Sequence, residues 1–179
     1  RIRVVLCRTS HPGNIGAAAR AMKTMGLSKL YLVEPKKFPD QEADTRATGA
    51  VDLLQNATVT SSLKEALAGA SFAVALSARQ RDIGPVIGAP RETVARLLIE
   101  AGQGDVALVF GNETVGLSNE EILYCHAAVS IPTNPQFSSL NLGSAVQVLS
   151  YECRMAAFDS MPPALAQGVT PFSSPMATH

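Results

Sequence analysis

The chain has 179 residues, of which 46% are hydrophobic and 17% are charged, and these proportions are typical of one compact globular domain. Its formal net charge is zero, so it lacks the overall basic charge that most nucleic-acid-binding proteins carry. It contains no signal-peptide pattern and no run approaching the roughly 18 apolar residues of a transmembrane helix, so we expect a soluble, cytoplasmic protein with no membrane partner.

Short apolar runs alternate with helical patterns along the chain. The runs that predict strands are Val4–Cys7, Leu30–Val33, Phe72–Leu76, Val106–Phe110 and Ala127–Ile131. Turn residues and then a helical pattern follow each run. This alternation predicts an α/β fold with a mostly parallel sheet that is flanked by helices on both faces.

The first helical pattern follows the first strand. We expect Asn14 to cap this helix and Gly26 to end it. Its apolar stripe consists of Ile15, Ala18, Ala19, Met22 and Met25. This arrangement predicts that Arg20 and Lys23 point away from the core.

Later helices have recognisable first residues. Ser62 and Ser118 are each followed three residues later by a glutamate, and Pro90 suits the first position of a helix. The longest helix is expected to run from about Asn141 to Asp159. Beyond it, prolines and glycines interrupt any regular pattern, so we expect one domain over residues 1–160 and a linker or tail over residues 161–179.

The cysteines and histidines do not predict a metal site. Cys7, Cys125 and Cys153 are far apart and lack the spacing of zinc ligands. His11 and His126 are also too far apart in sequence to form a recognisable metal-binding pair. We therefore expect reduced, mostly buried thiols and no metal.

Charge is distributed unevenly along the chain. Residues 1–46 contain nine lysines and arginines and four acidic residues, so this part has a charge of +5 and the remainder −5. An ordinary solvated surface and an RNA-binding face both fit this pattern. The charge permits an RNA partner without requiring one.

Three segments combine glycine or proline with polar residues near the ends of predicted strands, where open α/β sheets bind ligands. They are residues 11–20, residues 108–118, in which Glu113 directly follows a buried strand, and residues 131–144. Each segment alone also fits a structural role as a helix cap, a turn or a connector. Common nucleotide-binding loops and the GxSxG elbow of serine hydrolases are absent from the sequence.

Taken together and in this order, Asn14 to Arg20, Gly111 to Leu117 and Ile131 to Asn141 resemble the three motifs of the SpoU (TrmH-like) branch of the SPOUT methyltransferases. The resemblance extends from about Arg3 to Phe158. It implies a deep trefoil knot at the C-terminal end of the sheet, S-adenosyl-L-methionine as the cofactor, and a homodimer in which the partner completes each active site.

The implied reaction is methylation of a ribose 2′-hydroxyl in RNA. The chain is most similar to family members that modify cytidine or uridine at the first nucleotide of the tRNA anticodon loop (position 32), and these members carry a further helical domain after a linker. Two alternatives stay open. One is 2′-O-methylation of another tRNA or rRNA nucleotide, and the other is a non-catalytic RNA-binding protein of the same fold.

The resemblance also implies which residues form the site. The expected cofactor-binding residues are Ser77, Ala78, Arg79, Gly111, Ile131, Pro132, Ser138, Ser139 and Leu140. The expected catalytic residues are Arg20, Asn14, Ser139, Asn141 and Glu113.

Arg20 is the residue to which the resemblance assigns activation of the ribose hydroxyl. A guanidinium stays protonated in proteins, so we interpret Arg20 as a charge that lowers the pKa of the hydroxyl and binds the adjacent phosphate. Asn14, Ser139 and Asn141 would orient Arg20 and the ribose. Glu113 has two candidate roles, which are to hold Asn14 or Arg20 in place, or to support the dimer.

Overall fold

The computed structural model describes residues 1–78 and 82–160. Within these residues the strands are β1 Ile2–Cys7, β2 Lys29–Val33, β3 Thr58–Thr60, β4 Ala70–Leu76, β5 Ile87–Gly88, β6 Asp105–Phe110 and β7 Ala127–Val129. They form one sheet in the order β3-β2-β1-β6-β4-β7-β5, and every neighbouring pair is parallel. The predicted parallel α/β architecture is confirmed.

The helices of the described residues are α1 Pro12–Thr24, α2 Gln41–Ala47, α3 Val51–Gln55, α4 Leu63–Ala66, α5 Pro90–Ala101, α6 Asn119–Leu123 and α7 Leu142–Asp159, with a 3-10 helix at Thr48–Ala50. Two hydrophobic clusters show that they cover both faces of the sheet. One cluster packs α1, α2, α3, α5 and α7 against alternate strand residues such as Val4 and Leu108. The other packs α4 and α6 against the intervening residues, such as Val5 and Val109.

The five predicted strands are present, and two short edge strands were not predicted. All six residues of β1 are buried, as expected for a strand in the middle of a parallel sheet. By contrast, two of the three residues of β3 are exposed, and β5 has only two residues. Neither edge strand has an apolar run, so hydrophobic patterning cannot identify them. The last predicted strand ends at Val129 rather than at Ile131.

Helix α1 begins earlier than its sequence predicts. His11 occupies the N-cap position without a side-chain cap, and Pro12 begins the helix because its fixed φ suits the first turn. The prediction that Asn14 caps α1 is therefore wrong. The predicted end is confirmed, since Gly26 has a φ of 81° and its N–H and that of Leu27 bond back to the carbonyls of the last turn.

The other predicted helix starts are confirmed, including Pro90 as the first residue of α5. Ser62 caps α4, Ser118 forms a capping box with Glu121, and Asn141 caps α7. Helices α2 and α3 were not predicted, because both are short. Close packing of α1 on α2 depends on Gly16, where an added Cβ would lie 2.1 Å from the backbone oxygen of Ala43.

Cys7, Cys125 and Cys153 are free and buried, as predicted. Burial raises the pKa of Cys125 and that of Cys153 to about 12. None of the helices in the described part of the chain combines the length and the apolar character that a membrane span needs. The same residues contain no cluster of His, Cys, Asp and Glu that could hold a metal ion. The predicted linker, residues 161–179, lies outside the described residues.

Candidate active site

The loops that follow β1, β4, β6 and β7 meet at the carboxyl edge of the sheet, because these strands are parallel neighbours. They enclose a cavity of about 640 Å³, a volume suited to a small-molecule cofactor. All three polar segments of the sequence contribute to its wall. The predicted site residues that line it are Asn14, Ser77, Ala78, Gly111, Glu113, Ile131, Ser138, Ser139, Leu140 and Asn141.

Among the described residues, two predicted site residues are not part of this wall. Pro132 is exposed and lies between two lining residues, Ile131 and Thr133. Arg20 is exposed on α1 and also lies outside the lining. Arg79 lies outside the described residues.

Glu113 joins the loop after β6 to the start of α1. Its carboxylate accepts hydrogen bonds from the backbone N–H of Ser10 at 2.8 Å and of His11 at 3.0 Å, and from the Nδ2 of Asn14 at 2.7 Å. Burial acts to raise the pKa of Glu113, but these three donors outweigh it and hold the pKa below its usual value. Glu113 therefore stays ionised near neutral pH and fixes the orientation of Asn14.

The loop from Gly111 to Leu117 turns back tightly on itself. The N–H of Gly116 donates to the carbonyl of Asn112 at 2.9 Å, and Gly116 has a φ of 70°. An added Cβ on Gly111 would lie 2.3 Å from both the Gly116 carbon and the Leu117 nitrogen. Only glycine fits at position 111 without moving this part of the cavity wall.

Asn112 was not predicted as a site residue, yet it lines the cavity and holds the loop together. Its Oδ1 accepts from the N–H of Thr114 at 2.8 Å, and its Nδ2 donates to the carbonyl of Arg8 at 2.8 Å and to the Oγ of Ser10 at 3.0 Å. The sequence signal for the first of these contacts is a Gly-Asn pair directly after a strand, a common turn pattern. The contacts with Arg8 and Ser10 have no local signal.

The third segment leads from β7 to α7 along the cavity. Thr133 Oγ1 donates to the carbonyl of Ser138 at 2.9 Å, which closes a small turn. Asn141 lines the cavity while its Oδ1 accepts from the N–H of Ser144 at 2.8 Å. The N-terminus of α7, whose unpaired N–H groups favour polar or anionic ligands, is therefore at the cavity.

Arg20 lies six positions after Asn14 on α1, about 9 Å along the helix axis. Because α1 leads away from the carboxyl edge, this spacing carries Arg20 away from the cavity of its own chain. In the described residues, Arg20 has no hydrogen bond or ion pair. The fold thus separates Arg20 from the other predicted catalytic residues.

The basic N-terminal part contains fewer available charges than the sequence suggests. Six of its nine basic side chains contact carboxylates or backbone carbonyls, namely Arg1, Arg3, Arg8, Lys23, Lys29 and Arg46. The other three, Arg20, Lys36 and Lys37, are exposed and form no such contact with described residues. The Lys36 N–H bonds to the Thr9 carbonyl at 3.0 Å, which places this loop beside the loop after β1.

The chain is similar in sequence to proteins that are named as tRNA 2′-O-methyltransferases. The chain is 56% identical, over 158 residues, to a protein of Pseudomonas aeruginosa named tRNA (cytidine/uridine/adenosine-2′-O-)-methyltransferase TrmJ; the match covers 87% of this chain and 61% of that protein. The chain spans less than two thirds of the length of the first curated relatives it matches.

Solved structures show the same fold. A probable methylase family protein from Haemophilus influenzae superposes with a TM-score of 0.81 at 49% identity, over 87% of this chain and 65% of that one. The SpoU methyltransferase AviRb from Streptomyces viridochromogenes, in complex with the cofactor AdoMet, has a TM-score of 0.67 at 25% identity, over 84% of this chain and 58% of that one.

The sequence model of the SpoU rRNA methylase family matches residues 1–151, which include all three polar segments around the cavity. The match therefore covers the whole sheet and α7 as far as Tyr151. This chain belongs to the SpoU rRNA methylase family.

Proposed function

We propose that the protein transfers a methyl group from S-adenosyl-L-methionine to a ribose 2′-hydroxyl of tRNA, at cytidine or uridine at position 32 of the anticodon loop. The observation that carries this proposal is the convergence of the three polar segments on one cavity. The name of the Pseudomonas aeruginosa relative supports the tRNA substrate, and the AdoMet complex of AviRb supports the cofactor. A tRNA substrate also favours the cytoplasm as the location.

The cavity fits S-adenosyl-L-methionine. Its wall combines apolar side chains, such as Leu76 and Phe110, with polar groups of Ser77 and Ser139 and with the close backbone of Gly111. An adenine ring needs this combination of apolar faces and hydrogen-bonding edges. When bound there, the cofactor supplies an electrophilic methyl group, and the protein contributes mainly positioning.

Asn14 and Asn141 lie where the three segments meet, and each is held by a hydrogen bond that fixes its side chain. We assign them to orienting the ribose. The role of Glu113 is to keep Asn14 in place, and its bonds to Ser10 and His11 fix the first turn of α1 at the same time.

Arg20 would activate the hydroxyl in the cavity of a second copy of the chain. The exposed position of Arg20 outside its own cavity supports this assignment. Apolar side chains suited to an interface are also exposed, including Val115 and Phe137 near the cavity and Tyr151 and Met155 one turn apart on α7. We therefore propose a homodimer, with Arg20 supplied by the partner.

A mixed dimer tests this arrangement. Arg20→Ala keeps the cavity, whereas Gly111→Val displaces the cavity wall and keeps Arg20, so each variant alone should be inactive. Co-expressed, they should recover about a quarter of wild-type activity, because half of the dimers are mixed and each mixed dimer has one complete site. Absence of recovery, with dimers present by light scattering, would show that Arg20 does not act across the interface.

We also propose that the chain forms a trefoil knot and that residues 1–160 are the catalytic domain, with 161–179 leading to a further helical domain. The lengths of the curated relatives support the added domain. For the knot, the support is that the segment from β7 to α7 shares a cavity with the loop after β6.

Exposed Arg20, Lys36 and Lys37 are the basic residues most available for RNA phosphates. Lys36 and Lys37 lie at the carboxyl edge of the sheet, where the cavity is also found. We propose that this loop binds the tRNA backbone beside the modified nucleotide. Such contacts predict that added salt weakens RNA binding steeply.

The proposed function is tested by transfer of labelled methyl from S-adenosyl-L-methionine into unmodified tRNA, followed by mapping of the modified nucleotide. Label in the ribose of position 32 supports the proposal. Because the family description names rRNA, unmodified rRNA should be offered in parallel, and label only there would favour the alternative substrate. Failure to bind the cofactor would favour a non-catalytic RNA-binding protein.

A further inference from the structure

Arg8 is the first residue after β1, and its backbone adopts a φ of 54°. This left-handed conformation is unfavourable for a residue with a side chain, so surrounding contacts must hold it. Its N–H donates to the carbonyl of Val33 at 2.7 Å, and its carbonyl accepts from Asn112 at 2.8 Å. The backbone of Arg8 thus joins β2 to the loop that forms part of the cavity wall.

The guanidinium of Arg8 makes three further hydrogen bonds. Its Nη2 donates to Glu121 Oε1 at 2.6 Å and its Nε donates to Glu121 Oε2 at 3.1 Å, which is a bidentate ion pair. The same Nη2 donates to the carbonyl of Gly116 at 3.0 Å. Arg8 itself does not line the cavity, whereas Gly116 does.

We propose that Arg8 and Glu121 are positioning residues that hold the Gly111–Leu117 loop in the shape that binds S-adenosyl-L-methionine. This inference rests on the proposed function and extends it to two residues behind the cavity wall. Neither residue needs to touch the cofactor or the RNA.

The contacts explain how the ion pair of Arg8 and Glu121 can affect the cavity through the loop. Holding the Gly116 carbonyl fixes the plane of the peptide between Gly116 and Leu117, and both residues line the cavity. That peptide packs against Gly111 so closely that a Cβ would not fit. A rotation of the peptide would therefore move the wall of the cavity.

Glu121 gives the guanidinium a fixed anchor. Its Oε1 also accepts from the N–H of Ser118 at 2.7 Å, which completes the capping box of α6. Burial acts to raise the pKa of Glu121, but the bonds from Arg8 and Ser118 outweigh it and keep the carboxyl ionised. The planar guanidinium bonds both carboxylate oxygens and the carbonyl from donors in a fixed fork geometry, which the single nitrogen of a lysine does not reproduce.

The test compares Arg8→Asn with Arg8→Lys in the whole chain. Asparagine tolerates the left-handed backbone, so this variant removes the side-chain contacts with little added strain. We expect calorimetry with S-adenosyl-L-homocysteine to show a Kd raised about tenfold for Arg8→Asn and about threefold for Arg8→Lys, which keeps the charge but loses the bidentate geometry. The number of sites per chain should stay unchanged.

Glu121→Gln is the second variant, since glutamine can still form the capping box while it weakens the ion pair. It should raise the Kd in the same direction. Lys29→Gln is the matched control, because it removes an ion pair with Asp105 at the opposite edge of the sheet and should leave the Kd unchanged.

Two results would overturn the inference while the proposed function stands. An unchanged Kd in Arg8→Asn and Glu121→Gln would show that the loop does not depend on the pair. A reduced number of sites with an unchanged Kd would show a purely structural role, in which part of the protein is unfolded. If the wild-type chain itself binds no S-adenosyl-L-homocysteine, the proposed function fails first, and the inference fails with it.

Discussion

The contact between Glu113 and Asn14 is the basis of a quantitative prediction, because it joins two segments 99 residues apart in sequence. Glu113→Gln keeps the shape of the side chain but replaces one acceptor oxygen by an amide that faces the same donors. Hydrogen bonds to charged groups contribute about 1.5–3 kcal/mol each when buried. Because Glu113 is only partly buried, we expect the substitution to lower the free energy of unfolding by about 2 kcal/mol in total.

A double-mutant cycle with Asn14→Ala isolates the contact between the two side chains. We expect Asn14→Ala to cost about 1 kcal/mol and the two substitutions together to cost less than their sum by about 1 kcal/mol, as for residues in direct contact. Urea unfolding followed by circular dichroism measures all four proteins. Glu120→Gln, at an exposed acid of α6, is the control and should change stability by less than about 0.5 kcal/mol.

The contribution of Glu113 should depend on pH in a defined direction. Its pKa is lowered on folding, so the folded state is stabilised above the ordinary value of 4.5 and loses this stabilisation as the pH falls through the lower, folded pKa. The difference between wild type and Glu113→Gln should therefore be full at pH 7 and shrink below about pH 4. A coupling near zero at pH 7, or a difference that does not change with pH, would refute the assigned network.

Three further predictions follow from the packing and charge of the chain. Gly111→Ala should abolish binding of S-adenosyl-L-homocysteine in calorimetry, because its Cβ has no space, whereas Gly49→Ala should bind normally, since nothing lies within 4 Å of its Cβ. Replacing Lys36 and Lys37 with glutamine should reduce the slope of log RNA affinity against log salt concentration by about 2, while cofactor affinity stays unchanged. An unchanged slope would show that this loop does not contact the RNA. The three buried cysteines should not react with a thiol reagent until the protein unfolds, and fast labelling in native buffer would contradict their burial.

Local patterns in the sequence were sufficient to predict most of the secondary structure. The five main strands were predictable because each is a continuous apolar run in a parallel sheet. The starts of α4, α6 and α7 were predictable because Ser62, Ser118 and Asn141 cap them through contacts no more than three residues away. The start of α1 was misplaced because Asn14 is used for a distant contact with Glu113 instead of a cap.

The sequence by itself determined the parallel α/β fold, the family and the segments that line the cavity. The order of the strands decides which side chains of those segments are in contact. Because β1 lies directly between β2 and β6, the loops after β1 and β6 are neighbours, and Glu113 reaches Asn14 while Arg8 reaches Glu121. These contacts link residues about a hundred positions apart, so periodicity and capping cannot reveal them. The direction of α1, which leads away from the carboxyl edge of the sheet, places Arg20 outside the cavity of its own chain.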